Sequence, residues 1–261
     1  VWVSLRLRIS LWFKLKRYFP VWPFRRHSTL EESGIFRGFT DWHCHILPGV
    51  DDGVRTMDES LEALRLYEEC GVESVWLTPH VMEDIPNTTA RLRERFAELR
   101  TAYQGTVKLH LAAENMLDTL FEERLEADDL LPIGEKGDCL LVETSCFNPP
   151  MGLLSLLKRI LSKGYYPLLA HPERYQYMDG PDYRALKEAG IAFQLNLPSL
   201  AGMYGRAVQK KAASLLKAGM YDLTGSDLHA ASVFTALLRA RIDSRSRDRL
   251  WAHFRACPDA P

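Results

Sequence analysis

The sequence predicts an α/β fold of parallel strands, most economically a barrel closed on itself. Two observations carry this. Strand-like and helix-like stretches alternate about seven times from Phe39 onward, the pattern of repeated strand–helix units. An ionisable or polar residue follows each predicted strand, and the carboxyl ends of barrel strands are where such folds place their chemistry. Seven strands rather than eight predict a distorted or incomplete barrel.

Residues 1–26 read as a basic, apolar leader, with Arg6, Arg8, Lys14, Lys16, Arg17, Arg25 and Arg26 and no acid. Charges interrupt every apolar run, which excludes a signal-peptide core and a transmembrane helix within it. From Leu5 to Leu15 apolar residues fall at every second position, a strand period. The expectation is a poorly ordered segment or an edge strand. Peripheral contact with an anionic membrane is the alternative, which mixed basic and aromatic residues suit. Residues 27–38, with Ser28, Ser33 and Gly34, read as a linker. The expected division is therefore 1–38 leader and linker, 39–261 barrel domain.

The first strand is expected over 39–43, with His45 at its exit. Thr56 and Glu59 form a capping box for a helix that runs to Cys70 and stops at Gly71. A second strand over 74–78 ends in Pro79-His80, and a charged helix follows over 91–103. Strand three, 107–113, ends in Glu114; residues 118–130 read as helical. Strand four, 139–142, ends in Glu143, and an apolar helix spans 153–163. Strand five, 167–170, ends in His171, before a short helix over 183–189. Strand six, 191–195, meets Asn196, and a helix over 206–218 is stopped by Gly219. Strand seven, 222–224, leads to Asp227 and His229. The remainder reads as mostly helical.

The formal net charge of -1 on 261 residues gives no reason to expect nucleic acid or another polyanion as partner. Five scattered cysteines, with no C-x-x-C pair, read as a reducing compartment rather than a disulfide framework.

On a regular strand, residues two apart share a face, so Asp41, His43 and His45 are expected to point the same way. One histidine at a strand end is usually a hydrogen-bonded structural group. Five at strand ends (His43, His45, His80, His171 and His229), joined by Glu114, Glu143 and Asp227, point instead to a metal site. His110 falls deeper in its strand and reads as structural. Imidazole and carboxylate without thiolate suit Mn, Fe or Zn. The donors exceed what one ion uses, so two or three ions sharing Glu114 are expected. Cys44, between the two histidines, alternates to the other face and reads as a small buried hydrophobe. Asp51 and Asp52 are either turn residues or contributors to the site, Asp52 first. Closely spaced hard cations suit phosphoester hydrolysis by an activated water. Arg174 would grip two phosphate oxygens; a surface salt bridge with Glu173 or Asp179 is its alternative.

The motifs D-x-H-x-H-I-L-P-G-V-D-D-G from Asp41, T-P-H from Thr78, A-H-P-E-R-Y from Ala170, N-x-x-S-L-x-G from Asn196 and G-S-D-x-H from Gly225 resemble the PHP superfamily. More narrowly, the chain resembles the manganese-dependent protein tyrosine phosphatases encoded beside bacterial capsule and exopolysaccharide genes. The resemblance implies a distorted TIM-like (β/α)7 barrel of the PHP type holding Mn2+. It also implies a cytoplasmic enzyme, at the inner membrane face, that dephosphorylates a bacterial tyrosine kinase controlling polysaccharide export. By motif, His43, His45, Glu114 and Asp227 would hold one ion and His80, Glu114 and His171 a second. His229 with Asp52 would serve a third, with Glu143 a further ligand, and Arg174, Asp227 and His229 would be catalytic. Val81 and Asn115 depart from the usual residues without removing a ligand. A cysteine-dependent phosphatase is excluded, because no cysteine begins a C-x5-R loop.

Two rival readings remain open at the level of sequence. A small-molecule phosphatase, such as one for histidinol phosphate, would share the metal chemistry and differ at the rim. For a phosphotyrosine site the rim should be shallow and apolar, with Phe147, Pro149, Tyr175, Tyr177, Met203 and Tyr204 as candidates. A metal-bound regulator without turnover is the third reading. An amidohydrolase fits less well, since its bridging lysine is replaced here by Glu143.

Overall fold

The computed structural model describes residues 27–134 and 136–256. The leader over 1–26 and Cys257 lie outside the described residues.

The chain builds a curled parallel sheet with helices on its outer side. One part is three-stranded, in the order β2 (Thr40–Cys44), β3 (Ser74–Leu77), β5 (Lys108–Leu111). The other is six-stranded, in the order β4 (His80–Val81), β6 (Glu114–Met116), β7 (Cys139–Glu143), β8 (Tyr166–Ala170), β9 (Ala192–Asn196), β10 (Leu223–Gly225). Backbone bonds link the two parts at both junctions. Asp227 N donates to His43 O and His45 N to Leu228 O, each at 2.8 Å, while Glu114 N donates to Pro79 O at 3.1 Å.

Two of the expected strands are each followed closely by a further short strand. Residues 74–81 form β3 and β4 because Pro79 has no N–H to give a ladder. The strand expected to reach Glu114 changes partner at Ala112 and Ala113, whose amides donate to Leu77 O and Leu131 O. β5 therefore pairs with β3, whereas β6 pairs with β4 and β7.

The outer helices follow from local signals. In α2 (Met57–Cys70), Thr56 and Glu59 cap reciprocally, and Gly71 closes the helix at φ 80°. Leu64 and Tyr67 of α2 are fully buried against the sheet. A smaller cluster, including Trp76, Ala112, Leu141, Leu168 and Leu223, fills the inner, concave side. Trp42 stacks on Trp76 at 5.8 Å and Trp76 on His110 at 4.6 Å, so His110 serves as part of an aromatic ladder below the site.

Two sequence expectations are corrected. Residues 27–38 are not a linker. β1 (His27–Thr29) pairs antiparallel with β11 (Arg241–Asp243), Thr29 caps the short α1 (Leu30–Ser33), and Leu30, Ile35 and Phe36 are buried. Phe36 packs edge-on against Phe234 of α9 (Ala231–Arg239). Asp41 also does not share the face of His43 and His45. A register shift between Asp41 and Cys44 lets Trp42 join the inner cluster while Asp41 turns to Tyr67 Oη of α2 and to Ser226. Such bulges re-aim side chains next to functional sites.

Candidate metal centre

β2 exits beside the segment that follows β10, and Asp41 holds the two together. Its buried carboxylate accepts from Ser226 N at 2.8 Å, from Ser226 Oγ and from Tyr67 Oη. Burial raises its pKa, and these donors oppose the rise. Ser226 and Asp227 are adjacent, so this anchor brings Asp227 to His43. Gly225 allows the approach: a Cβ there would lie 2.4 Å from His43 Cβ. Two residues at the site, His171 at φ 35° and Asp227 at φ 51°, hold left-handed backbone without being glycine. Such strain is kept where surrounding contacts over-determine it.

The centre is organised around Glu114, wholly buried at the start of β6. Four imidazole nitrogens ring its carboxylate: His43 Nε2 at 3.1 Å, His45 Nε2 at 3.3 Å, His80 Nδ1 at 3.2 Å and His171 Nε2 at 3.0 Å. Asp227 Oδ1 approaches His45 Nε2 at 3.4 Å and His43 Nε2 at 3.6 Å, and Glu143 Oε1 lies 3.0 Å from His80 Nδ1. Toward solvent, Asp52 Oδ1 stands 3.5 Å from both His80 Nε2 and His229 Nε2.

His43 on β2 and His45 just beyond it are each fixed through the ring nitrogen that faces away from Glu114. His43 Nδ1 meets Gln194 Oε1 at 3.0 Å, and the same oxygen accepts from His171 N at 3.2 Å. His45 Nδ1 meets Asp51 Oδ2 at 2.9 Å, and Asp51 also accepts from His80 N and Gly53 N, each at 3.0 Å. Such partners set tautomer and ring orientation. Asn196 Nδ2 and Arg174 Nη1 donate to Asp227 Oδ2 at 2.7 and 2.9 Å. Arg174 lies over the Tyr204 ring at 4.6 Å.

The arrangement fits divalent ions. His43 Nε2 and His45 Nε2 face each other at 3.0 Å, where at most one proton can stand between them. Glu114 Oε2, His80 Nδ1 and Glu143 Oε1 are buried and close, yet none is aligned for a hydrogen bond. Among the described residues, four groups have candidate ligand atoms within 4.8 Å of one another: His45, Asp52, His80 and His229; His43, His45 and Asp227; His43, Glu114 and His171; His80, Glu114 and Glu143. Without ions, charge separation substitutes. Burial opposes it, but Glu114 and Asp227 raise the His43 pKa to about 9. Burial likewise works against Glu114 and Asp227, yet the imidazoles hold both below the usual carboxylate range.

All ten site residues named from sequence thus stand in one region. His171 sits with His43 and Glu114 rather than with His80, which groups with Glu114 and Glu143. Asp52 joins from the solvent edge, its side chain 63% exposed, whereas its neighbour Asp51 is the buried orienter of His45. Gln194 was missed. Its signal is a polar residue on the inner face of an apolar strand, between Phe193 and Leu195. Cys44 faces away, its thiol directed at Trp76 O.

Fold and site define the class: an α/β protein that gathers histidine and carboxylate side chains able to hold metal at the carboxyl ends of a curled parallel sheet. Residues 39–240 match the pattern of the family described as capsular polysaccharide synthesis, CpsB/CapC. The chain belongs to that family. It is 30% identical over 195 residues to tyrosine-protein phosphatase YwqE of Bacillus subtilis, covering 72% of this chain and 76% of the relative. It is 26% identical over 202 residues to tyrosine-protein phosphatase CpsB of Streptococcus pneumoniae, covering 72% and 82%. Among solved structures it resembles one from work on YwqE and CpsB, described as unique metal-dependent tyrosine phosphatases. That match has a TM-score of 0.70 at 26% identity, with 82% of this chain and 86% of the other covered. A histidinol phosphate phosphatase from Lactococcus lactis shares the fold, with a TM-score of 0.51 at 14% identity over 85% and 95% of the two chains.

Proposed function

We propose that this protein is a metal-dependent phosphotyrosine phosphatase whose substrate is a tyrosine-phosphorylated kinase of capsular polysaccharide export. The observation that carries the reading is the ring of four imidazoles on Glu114 with Arg174 beside it. In this proposal His43, His45, His80, Glu114, Glu143, His171, Asp227, His229 and Asp52 hold two or three ions, Mn2+ being the expected metal. Bound there, divalent ions supply Lewis acidity toward a phosphoryl oxygen and an attacking water.

The chain's own groups do the rest. Burial opposes the charge on Arg174, but Asp227 raises its pKa above the usual value, so the guanidinium stays charged. With Nη1 tied to Asp227 and the Tyr204 ring beneath it, its remaining N–H groups are held ready for two non-bridging phosphate oxygens. His229 Nδ1 donates to the Asp227 carbonyl oxygen at 2.9 Å, which turns Nε2 toward Asp52 Oδ1 at 3.5 Å. His229 and Asp227 then border the attacking water.

The rim favours a protein substrate over a small ester. Phe147, Met151, Leu154, Met203 and Tyr204 are large apolar side chains exposed on the loops and helix starts that follow β7 and β9. The curled sheet closes as a (β/α)7 barrel in this reading, with residues 27–38 packed into the catalytic domain and the leader over 1–26 preceding it. An inner-membrane location with lipid contact through residues 1–26 belongs to the same proposal. Among the described residues no helix is long and apolar enough to cross a membrane. Initial rates on a tyrosine-phosphorylated peptide and on histidinol phosphate, both with Mn2+, test the reading. Turnover of the peptide is expected, and turnover of histidinol phosphate alone would replace this substrate with a small one.

A further inference from the structure

Exposed apolar side chains are not scattered over this protein. Of the six large hydrophobics most exposed among the described residues, five lie on the site-bearing side, and only Tyr166, at the start of β8, lies at the other end of the sheet. Phe147 and Met151 are 68% and 101% exposed on the loop after β7, well beyond what single surface hydrophobics require.

Beneath that loop runs a groove of about 310 Å3 lined by Pro149, Leu153, Leu154, Tyr177, Met178 and Leu186. It lies between the start of α5 (Leu153–Ser162) and the face of α6 (Gly180–Glu188). A run of packed side chains ties the groove's wall to the centre. Tyr177 Oη bonds Thr144 Oγ1, next to Glu143, and Tyr177 stacks at 5.7 Å on Tyr175, whose ring packs edge-on against His171. Gln176 N donates to Cys146 O at 2.8 Å, pinning the loop after β7 to the segment that carries Arg174. Its walls are fixed as well: Lys211 Nζ donates to the carbonyls of Tyr175 and Met178.

We infer that this groove is a docking subsite for one large apolar side chain of the phosphoprotein segment that flanks the phosphotyrosine. The inference rests on the phosphatase reading above and adds a substrate requirement that the metal centre alone does not impose. A volume of about 310 Å3 lies at the small end of ligand pockets, which suits one side chain rather than a folded domain. The contact joins the phosphate site and the groove on one rigid wall, so a peptide engages both without reorganising the enzyme. Asp182, on the groove's edge, favours a neutral or basic residue over an acidic one beside the apolar side chain.

The test compares kcat/KM, in Mn2+-loaded enzyme, on phosphotyrosine peptides that carry a leucine before or after the phosphotyrosine and on versions with serine in its place. Free O-phosphotyrosine is the control substrate. Ala185, exposed on α6 and lining the groove, is replaced in Ala185→Glu, a substitution that suits an exposed helix position. At least one leucine peptide is expected to exceed its serine counterpart about tenfold. Ala185→Glu should erase that difference and leave turnover of O-phosphotyrosine unchanged. Equal rates on leucine and serine peptides, or a leucine preference that survives both Ala185→Glu and Leu154→Asp, would overturn the inference while the phosphatase reading stands. Loss of binding to phosphatidylglycerol vesicles in the variant, with peptide preference intact, would assign the surface to lipid and also overturn it. No turnover of any phosphotyrosine substrate by the wild type would remove the phosphatase reading and the inference with it.

Discussion

Asp51 is the most informative residue to change, because its carboxylate does three things at once. It accepts from His45 Nδ1 at 2.9 Å and from the amides of His80 and Gly53 at 3.0 Å each. Burial opposes its charge, yet the His45 imidazole lowers its pKa below the ordinary value. Asp51→Ala leaves two amides and a ring nitrogen without a partner, a loss of about 3 kcal/mol or more when each such group costs about 1–3 kcal/mol. For a chain of this size about 1 kcal/mol shifts Tm by about 2–4 °C, so a fall of about 6 °C or more is expected. Freed His45 also loses its orientation, and removing such a partner costs about 10–100-fold in metal affinity. Asp51→Asn keeps an oxygen for the amides but not the charge, so it should retain most of the stability and still bind metal more weakly. Calorimetric titration of metal-stripped protein with Mn2+, beside thermal melts of both variants, reads the two effects separately. Wild-type Mn2+ affinity in Asp51→Ala would refute the role given to this carboxylate.

Three further outcomes follow from the same geometry. In metal-free protein the folded pKa of His43, about 9, lies above its unfolded value, so its stabilising share is full below about pH 6.5 and is lost as pH rises through 9. Denaturant midpoints of chelated protein should therefore fall across that window, while Mn2+ affinity rises over it because each ion displaces a proton; a flat stability profile would contradict the charge assignment. Arg174→Ala should lower kcat/KM on a phosphotyrosine peptide by about 100-fold or more with Tm nearly unchanged, and a near wild-type rate would remove Arg174 from phosphate binding. Gly225→Ala places a methyl group 2.4 Å from His43 Cβ, so bound metal, measured by mass spectrometry, should fall, and full occupancy would show that the strand can give way.

Much of the site was legible because its donors sit at strand ends, and strand ends are marked locally by Gly, Pro and the loss of apolar character. The bounds of α2 were legible for a similar reason: Thr56, Glu59 and Gly71 satisfy its end groups within the helix's own sequence. What escaped depends on distant partners. The strand His27–Thr29 exists because Arg241–Asp243 pairs with it, and a three-residue segment carries no period of its own. The turning of Asp41 away from the histidines depends on a register shift against β3 and on the distant donors Tyr67 and Ser226. Asp51 and Asp52 are adjacent acids in one loop, and only the folded backbone decides which is buried beneath His45 and which faces the solvent.

The most direct test of the central claim is the metal stoichiometry of the protein beside its phosphotyrosine phosphatase rate, through one cycle of chelation and reloading with Mn2+. Two or three ions per chain should return together with the rate, and Glu114→Gln, which weakens the carboxylate at the centre of the ring, should lose both. Full activity after complete removal of metal, or an unchanged ion count in Glu114→Gln, would contradict it.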